Sequence, residues 1–191
     1  QHAIHWNADA SEDTWINEGL AELSSSIALD SSFSIRQFLR GAPISLINWP
    51  TSSVGGIANY GAASLFMHFL TEHFGGRDNL RTLLAQPEDS IAGIDAYLDE
   101  IGYQERFEDV FRLWAAANIL DSDIRDGDAI LGYGDLEVSA TISGSIKGFN
   151  EARSEIPQYA VEYTELRSIS EPLTLSFQGP TTVPLLPVDV G

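Results

Sequence analysis

The sequence predicts a mainly α-helical domain followed by a β-rich C-terminal segment. Through most of residues 14–120, apolar residues recur at intervals of three and four, which is the period of a helix with one buried face. From Leu136 onward, apolar and polar residues alternate instead, as they do in strands with one buried face. We therefore expect a helical domain over residues 1–134 and a β-rich segment over residues 135–191.

The helical prediction is strongest where the apolar stripe is most regular. Phe107, Val110, Phe111 and Trp114 follow helical spacing, and we expect this stripe to lie in the core. Similar stripes, bounded by stop signals such as Gly102, predict the remaining helices. The expected helices span residues 14–29, 34–40, 59–76, 77–86, 87–101 and 107–120.

The β-rich segment is predicted from four runs that combine alternation with strand-forming residue types. A stretch rich in Gly, Ser and Asn, residues 143–155, is expected to be a connecting loop. Two arrangements remain open: the start of an accessory β domain, or a small sheet laid on the helices. The expected strands span residues 136–143, 158–166, 173–179 and 182–188.

The charge of the chain bears on its partners. With a net charge of −18 over 191 residues, the protein is expected to repel the phosphates of nucleic acids and anionic membrane surfaces. The sequence contains no cysteine, so neither disulfides nor thiol chemistry are available to it. No apolar run is long enough to span a bilayer, and we expect no membrane insertion.

Two stretches near the start of the chain carry the candidate chemistry. The first is QHAIHW at residues 1–6, and the second is WINEGLAE at residues 15–22. A turn in the polar link between them would bring Glu18 back beside His2, so that a carboxylate and an imidazole could bind one zinc ion. Taken singly, each of these residues is more often a solvated side chain than a ligand.

The string W-I-N-E-G-L-A-E resembles the third-ligand helix of the gluzincin zinc metallopeptidases, which include the zinc aminopeptidases and thermolysin. The link from QHAIHW to this string looks closest to hyicolysin-type secreted bacterial peptidases. The resemblance implies that His2 is the second histidine of an H-E-x-x-H helix and that Glu18 is the third zinc ligand. It also implies that Glu22 orients a zinc-bound histidine from the second shell.

A second segment, NYGAASLFMHFLTEHFGG at residues 59–76, resembles a helix of the zinc aminopeptidases that begins near a functional tyrosine. The resemblance implies that Tyr60 donates a hydrogen bond to the oxyanion formed during peptide hydrolysis. The motif departs from the family pattern, because Gly61 and Ala62 stand where the family has Glu and Lys. The alternative is a tyrosine that caps a core helix.

The resemblance implies a fold and an activity for a longer parent protein. The fold would be the helical C-terminal lobe of a gluzincin, and the reaction would be attack of a zinc-activated water on a peptide or protein substrate. The first histidine and the base glutamate of H-E-x-x-H would lie in a missing N-terminal lobe, so we expect this chain alone to be inactive. The resemblance further implies one zinc ion and a secreted or cell-surface location in bacteria.

Two interpretations of the function, an enzyme and a non-catalytic module, stay open. The hyicolysin-like similarity favours an endopeptidase over an aminopeptidase. The alternative from a different class is a non-catalytic, peptidase-like module of an exported protein, with a binding or a purely structural role.

Overall fold

A computed structural model describes residues 11–29, 33–50, 56–122, 125–126, 129–134, 136–147 and 155–167 of the chain. The helices are α1 (Thr14–Leu29), α2 (Phe33–Arg40), α3 (Gly56–His73), α4 (Leu80–Leu84), α5 (Ser90–Glu100) and α6 (Phe107–Leu120). Two strand pairs accompany them: β1 (Arg125–Asp126) is antiparallel to β2 (Ala129–Ile130), and β3 (Gly144–Lys147) is parallel to β4 (Thr164–Arg167). The prediction of a mainly helical chain is confirmed.

Helix α3 lies at the centre of the fold and is buried over most of its length. Its surface is apolar or small on nearly every side, which is typical of a helix enclosed by other elements. Helices α1 and α2 both pack on it. At Gly61 the contact is so close that a Cβ would lie 2.0 Å from the backbone oxygen of Ser34 in α2. This position therefore requires glycine for a steric reason.

Aromatic rings from three helices form the middle of the core. Phe66 of α3 lies 5.6 Å from Trp15 of α1 and 5.5 Å from Phe107 of α6, measured between ring centroids. Trp114 of α6 lies 5.8 Å from Phe66 in an edge-to-face arrangement. Such pairs contribute about 0.5–1.5 kcal/mol each beyond the area they bury. The stripe predicted for residues 107–120 is thus core, with Phe111 half-buried at its margin.

Two helices are shorter than predicted. The segment 77–86 begins as a 3₁₀ turn (Arg77–Asn79), and its α-helix ends at Leu84. The helix expected from residue 87 begins at Ser90, whose backbone N–H donates to the Glu12 carboxylate at 2.8 Å. This acceptor comes from a distant part of the chain, and it satisfies one of the N–H groups that a helix start leaves unpaired.

The predicted strand over residues 136–143 is not a strand in the structure. Its alternation is nevertheless real, because Val138 and Ala140 are buried while their neighbours are exposed. The backbone N–H of Ala140 donates to Asn118 O, and that of Thr141 donates to Leu39 O, both at 2.9 Å. The segment bonds to carbonyls in the last turns of two helices, which lack partners within their own helices, and not to a neighbouring strand.

The remaining strand predictions have different outcomes. Strand β3 lies inside the stretch 143–155 that was expected to be a loop. Strand β4 overlaps only the end of the predicted strand 158–166. The predicted strands 173–179 and 182–188 lie outside the described residues, so an accessory β domain stays a prediction. Within the described part of the chain, no helix combines the length and the hydropathy that a membrane span requires.

Candidate functional site

The motif W-I-N-E-G-L-A-E occupies the first half of α1, and its larger members anchor that helix. Trp15 is 1% exposed, and its ring packs edge-on against Phe66. Asn17 is also buried, and its Nδ2 donates to a backbone carbonyl just before the helix at 2.9 Å. With these side chains inward, Glu18 and Glu22 are both left half-exposed. They lie four residues apart and therefore share a face of α1.

Gly19 allows α1 to approach α3 closely beside these carboxylates. A Cβ at Gly19 would lie 3.0 Å from Ala63 O and 3.0 Å from Met67 Cγ, which is tighter than ordinary van der Waals contact. The small residue thus has a packing reason inside the motif. It also explains how side chains next to it on α1 reach the neighbourhood of α3.

Tyr60 of α3 lies near enough to both carboxylates for their charges to act on its phenol. Burial raises the pKa of the Tyr60 phenol above its ordinary value of about 10, and the charges of Glu18 and Glu22 raise that pKa further. The phenol therefore stays protonated at neutral pH and can donate a hydrogen bond. Trp49 packs edge-on against the Tyr60 ring, with 4.9 Å between the centroids.

The position of Tyr60 within α3 bears on the alternative of a capping tyrosine. The helix begins at Gly56, so Tyr60 lies in its second turn and not at its N-terminal cap. Its half-buried side chain is oriented by packing against Trp49. Tyr60 therefore lies inside the helix and packs against Trp49, and both its role as an oxyanion donor and the alternative of a structural tyrosine stay predictions.

Glu22 is held by a residue of a third helix. The Ser34 Oγ, in the first turn of α2, donates a hydrogen bond of 2.7 Å to Oε2 of Glu22. The other carboxylate oxygen, Oε1, makes no hydrogen bond to any residue that the structure describes. The Glu22 carboxylate thus has one oxygen fixed and one available as an acceptor.

The structure describes one of the two predicted zinc ligands. Glu18 lies in α1 as described, whereas His2 lies outside the described residues. Among the residues with a described placement, no three His, Cys, Asp or Glu side chains are grouped closely enough to hold a metal. Of the predicted ligands, the described residues supply only the Glu18 carboxylate, and the zinc site stays a prediction.

A separate cavity of about 1050 Å³ opens farther along the same helices. It lies between the C-terminal halves of α1 and α3 and is also lined by α2 and by residues of the segment 134–138. Ser26 and His68 line it and are joined by a hydrogen bond of 2.7 Å between Oγ and Nε2. Glu18, Glu22 and Tyr60, the predicted site residues that the structure describes, do not lie in its wall.

Two residues near the predicted site were not identified from the sequence as part of it. Ser34 was expected only to begin a helix, and nothing local marks its bond to Glu22, twelve residues earlier. Gly61 carried a usable signal, because an isolated glycine inside a helix costs about 1 kcal/mol relative to alanine and usually has a packing reason. The close contact with α2 is that packing reason.

Neither a protein-family model nor a curated protein sequence matches the chain.

Proposed function

We propose that this chain is the helical, third-ligand lobe of a zinc-dependent peptidase, an endopeptidase in preference to an aminopeptidase. In the parent protein, defined as this chain with the segment that precedes it in its reading frame, His2 and Glu18 would hold one zinc ion. Glu22 would orient a zinc-bound histidine, and Tyr60 would stabilise the oxyanion. The proposal includes secretion or display at a bacterial cell surface.

One observation supports this proposal above the others. The resemblance assigns roles in one site to Glu18, Glu22 and Tyr60, which come from two separate segments of the sequence. In the fold the two carboxylates lie close enough to Tyr60 for their charges to raise its pKa. Residues assigned to one site from separate motifs are thus neighbours, which packing of two unrelated helices would not require.

Each of these residues would have a different role in the proposed reaction. Zinc, when bound, supplies a coordinated water with a pKa of about 7 and polarises the substrate carbonyl. Glu18 would contribute a carboxylate oxygen to the metal, and Oε1 of Glu22 would accept the ring N–H of the ligating histidine. Tyr60, protonated at neutral pH, would donate to the carbonyl oxygen as negative charge develops on it. The proton acceptor would be the glutamate of H-E-x-x-H.

Zinc stoichiometry of the purified parent protein tests the proposal. We expect about one zinc per molecule by elemental analysis, little in the 191-residue chain alone, and loss of zinc from the parent with Glu18→Ala. Glu88→Ala is the matched control, because Glu88 is exposed and its side chain makes no hydrogen bond or ion pair with a described residue. A parent protein without zinc would overturn the proposal.

The large cavity favours a second candidate from a different class. A peptidase-like module without metal could bind a ligand in the cavity between α1, α2 and α3, away from Glu18 and Tyr60. The residues encoded directly before Gln1 distinguish the two candidates. An H-E-x sequence there would support the enzyme, and any other sequence would leave the binding or structural module.

A further inference from the structure

We propose that the cavity between α1, α2 and α3 is a binding site for an uncharged aliphatic alcohol, whose hydroxyl is held by Ser26 and Thr71. The site rests on the second candidate function, to which it gives a class of ligand. It lies in a different part of α1 and α3 from Glu18, Glu22 and Tyr60, and it is therefore independent of zinc.

The cavity has the size and the wall of a small-molecule site. Its volume of about 1050 Å³ is near the upper end of the range for ligand pockets, roughly 300–1,000 Å³. Among the described residues that line it there is no Phe, Tyr or Trp, so a planar ligand finds no ring of those types to stack on. An alkyl chain, by contrast, gains dispersion contacts with an aliphatic wall. The apolar residues of that wall are Leu23, Ile27, Ile35, Leu39, Leu136 and Val138.

The charges of the cavity wall favour a neutral ligand. Arg36 and Arg77 are balanced by Glu72 and Glu137, and all four residues are exposed. The chain as a whole carries a net charge of −18, which repels anions. Moving an unpaired charge against an aliphatic wall costs far more free energy than moving a hydroxyl there. Both a carboxylate and an ammonium group are therefore disfavoured.

Ser26 offers an acceptor for the hydroxyl proton of the ligand. Its Oγ donates to Leu23 O at 2.8 Å and lies 2.7 Å from Nε2 of His68. Since the single hydroxyl proton is used on Leu23 O, we assign a hydrogen to Nε2, which donates to Ser26 Oγ. A serine oxygen has two lone pairs, and Ser26 has no further partner among the described residues, so one lone pair is left. Ser26 and His68 both line the cavity.

Thr71 offers the matching donor. It lines the cavity three residues after His68, and so on the same face of α3. Its Oγ1 is buried and has no hydrogen-bond partner within the described part of the chain, which is costly for a hydroxyl. Threonine in a helix has two accessible χ1 rotamers, so this hydroxyl can turn to an oxygen in the cavity. An alcohol oxygen both accepts and donates, whereas a carboxylate only accepts and an ammonium only donates.

Ligands with one alkyl chain and different head groups test the class of ligand. Calorimetric titration of the 191-residue chain compares hexan-1-ol, hexanoate and hexylammonium. We expect saturable binding of hexan-1-ol, about tenfold tighter than binding of either ion, because each charged head leaves one of the two wall hydroxyls unpaired. Butan-1-ol should bind more weakly than hexan-1-ol, by up to about fourfold for each methylene that it lacks.

Two variants with matched controls locate the site. Thr71→Val keeps the shape and removes the hydroxyl, so it should weaken hexan-1-ol binding about 2–10-fold and yet raise the resistance of the free chain to urea. A hydroxyl with only a structural role would not produce these opposite effects. Thr71→Ser keeps the hydroxyl and should bind within about threefold of the unmodified chain.

Ser26→Ala should also weaken binding about 2–10-fold, because it removes the acceptor. Ser24→Ala is its control. Ser24 is exposed, bonds Leu20 O of its own helix at 2.8 Å, and lies outside the cavity wall. If Thr71→Val does not fold, the comparison of Ser26→Ala with Ser24→Ala decides.

The outcomes keep this proposal apart from the zinc proposal. A chain without saturable hexan-1-ol binding would overturn the alcohol site, and it would leave the zinc proposal, which is tested on the parent protein, unaffected. Equal or tighter binding of hexanoate or hexylammonium would overturn the neutral class and leave a ligand-binding module in place. Unchanged binding in both Thr71→Val and Ser26→Ala would place the ligand elsewhere, which also overturns the inference.

Discussion

The contact between α1 and α3 differs at its two ends. At one end, here called the glycine end, Gly19 brings α1 close to α3 and Gly61 brings α2 close to α3, and the carboxylates and the phenol of the proposed site lie beside these contacts. At the other, the cavity end, Ser26 and His68 form a hydrogen bond beside an opening of about 1050 Å³. Eight residues, or about 12 Å of helix, separate Tyr60 from His68.

The difference teaches that the cavity and the candidate chemistry occupy different parts of the same helices. The cavity wall has two arginines, Arg36 and Arg77, and two glutamates, Glu72 and Glu137, so these charges cancel. One of those glutamates is engaged, because Glu72 Oε1 accepts the backbone N–H of Gly134 at 2.7 Å. Tight packing holds the glycine end in one geometry, and a catalytic arrangement needs that precision.

The largest expected effect is the addition of one carbon at the glycine end. Gly61→Ala would place a Cβ 2.0 Å from Ser34 O, a backbone atom that cannot move without α2. We expect a loss of at least about 3 kcal/mol in the free energy of unfolding, the upper range for overpacking. Urea denaturation measures it. Gly144→Ala is the control, because a Cβ there meets nothing within 4 Å; equal stabilities of the two variants would contradict the tight contact.

The next largest effect is on the stability of the fold at alkaline pH, through Tyr97 of α5. Tyr97 is fully buried, and its hydroxyl donates to Phe74 O at 2.7 Å, just after the end of α3. Burial, with a smaller contribution from Tyr103, raises the pKa of Tyr97 to about 12. Below pH 10 the phenol is protonated in both states. Between pH 10 and about 12 the unfolded chain ionises first, so stability falls with rising pH, by at most about 1.4 kcal/mol per pH unit.

Tyr97→Phe tests that expectation. The variant loses the bond to Phe74 O, so it should be less stable than the unmodified chain at neutral pH. Its loss of stability between pH 10 and 12 should be shallower, by roughly 2 kcal/mol over the interval. Urea denaturation at several pH values gives both quantities. Identical slopes for the two proteins would mean that Tyr97 ionises as readily in the fold as in the unfolded chain.

A one-carbon addition at the cavity end provides the direct counterpart to Gly61→Ala. Val138 is 5% exposed and lines the cavity, so Val138→Ile can extend into open space. A buried methylene contributes about 0.8 kcal/mol, and we expect a change between zero and that gain in stability. A loss above roughly 2 kcal/mol would show overpacking and would remove the contrast between the two ends.

The smallest expected effect is on the ionisation of Tyr60. Burial is the main cause of its raised pKa, and the charges of Glu18 and Glu22 come after it. Glu18→Gln and Glu22→Gln should therefore each lower the pKa of Tyr60, without returning it to the ordinary value. Ultraviolet difference titration against Tyr60→Phe isolates this phenol. Glu72→Gln, at the cavity end, should leave it unchanged, and an equal shift there would contradict the assigned neighbourhood.

Sequence patterns predicted the helices well because a helix is stabilised by residues close together in the chain. The bounds of α1 and α6 agree with the prediction, and the stripe that includes Phe107 and Trp114 is buried. The prediction of a strand over residues 136–143 was wrong, because a strand depends on residues far apart in the chain. Alternation reports which side chains are buried, but a strand also needs a partner strand, and that partner is chosen by the surrounding fold.

For the candidate site, the sequence alone identified the residue types and their spacing on each helix. Glu18 and Glu22 share a face because they lie four residues apart, and no tertiary information is needed for that. Their nearness to Tyr60, and the bond from Ser34 to Glu22, could not be read from any local pattern. Those contacts were decided only when three helices docked, because Gly19 and Gly61 set how closely the backbones approach.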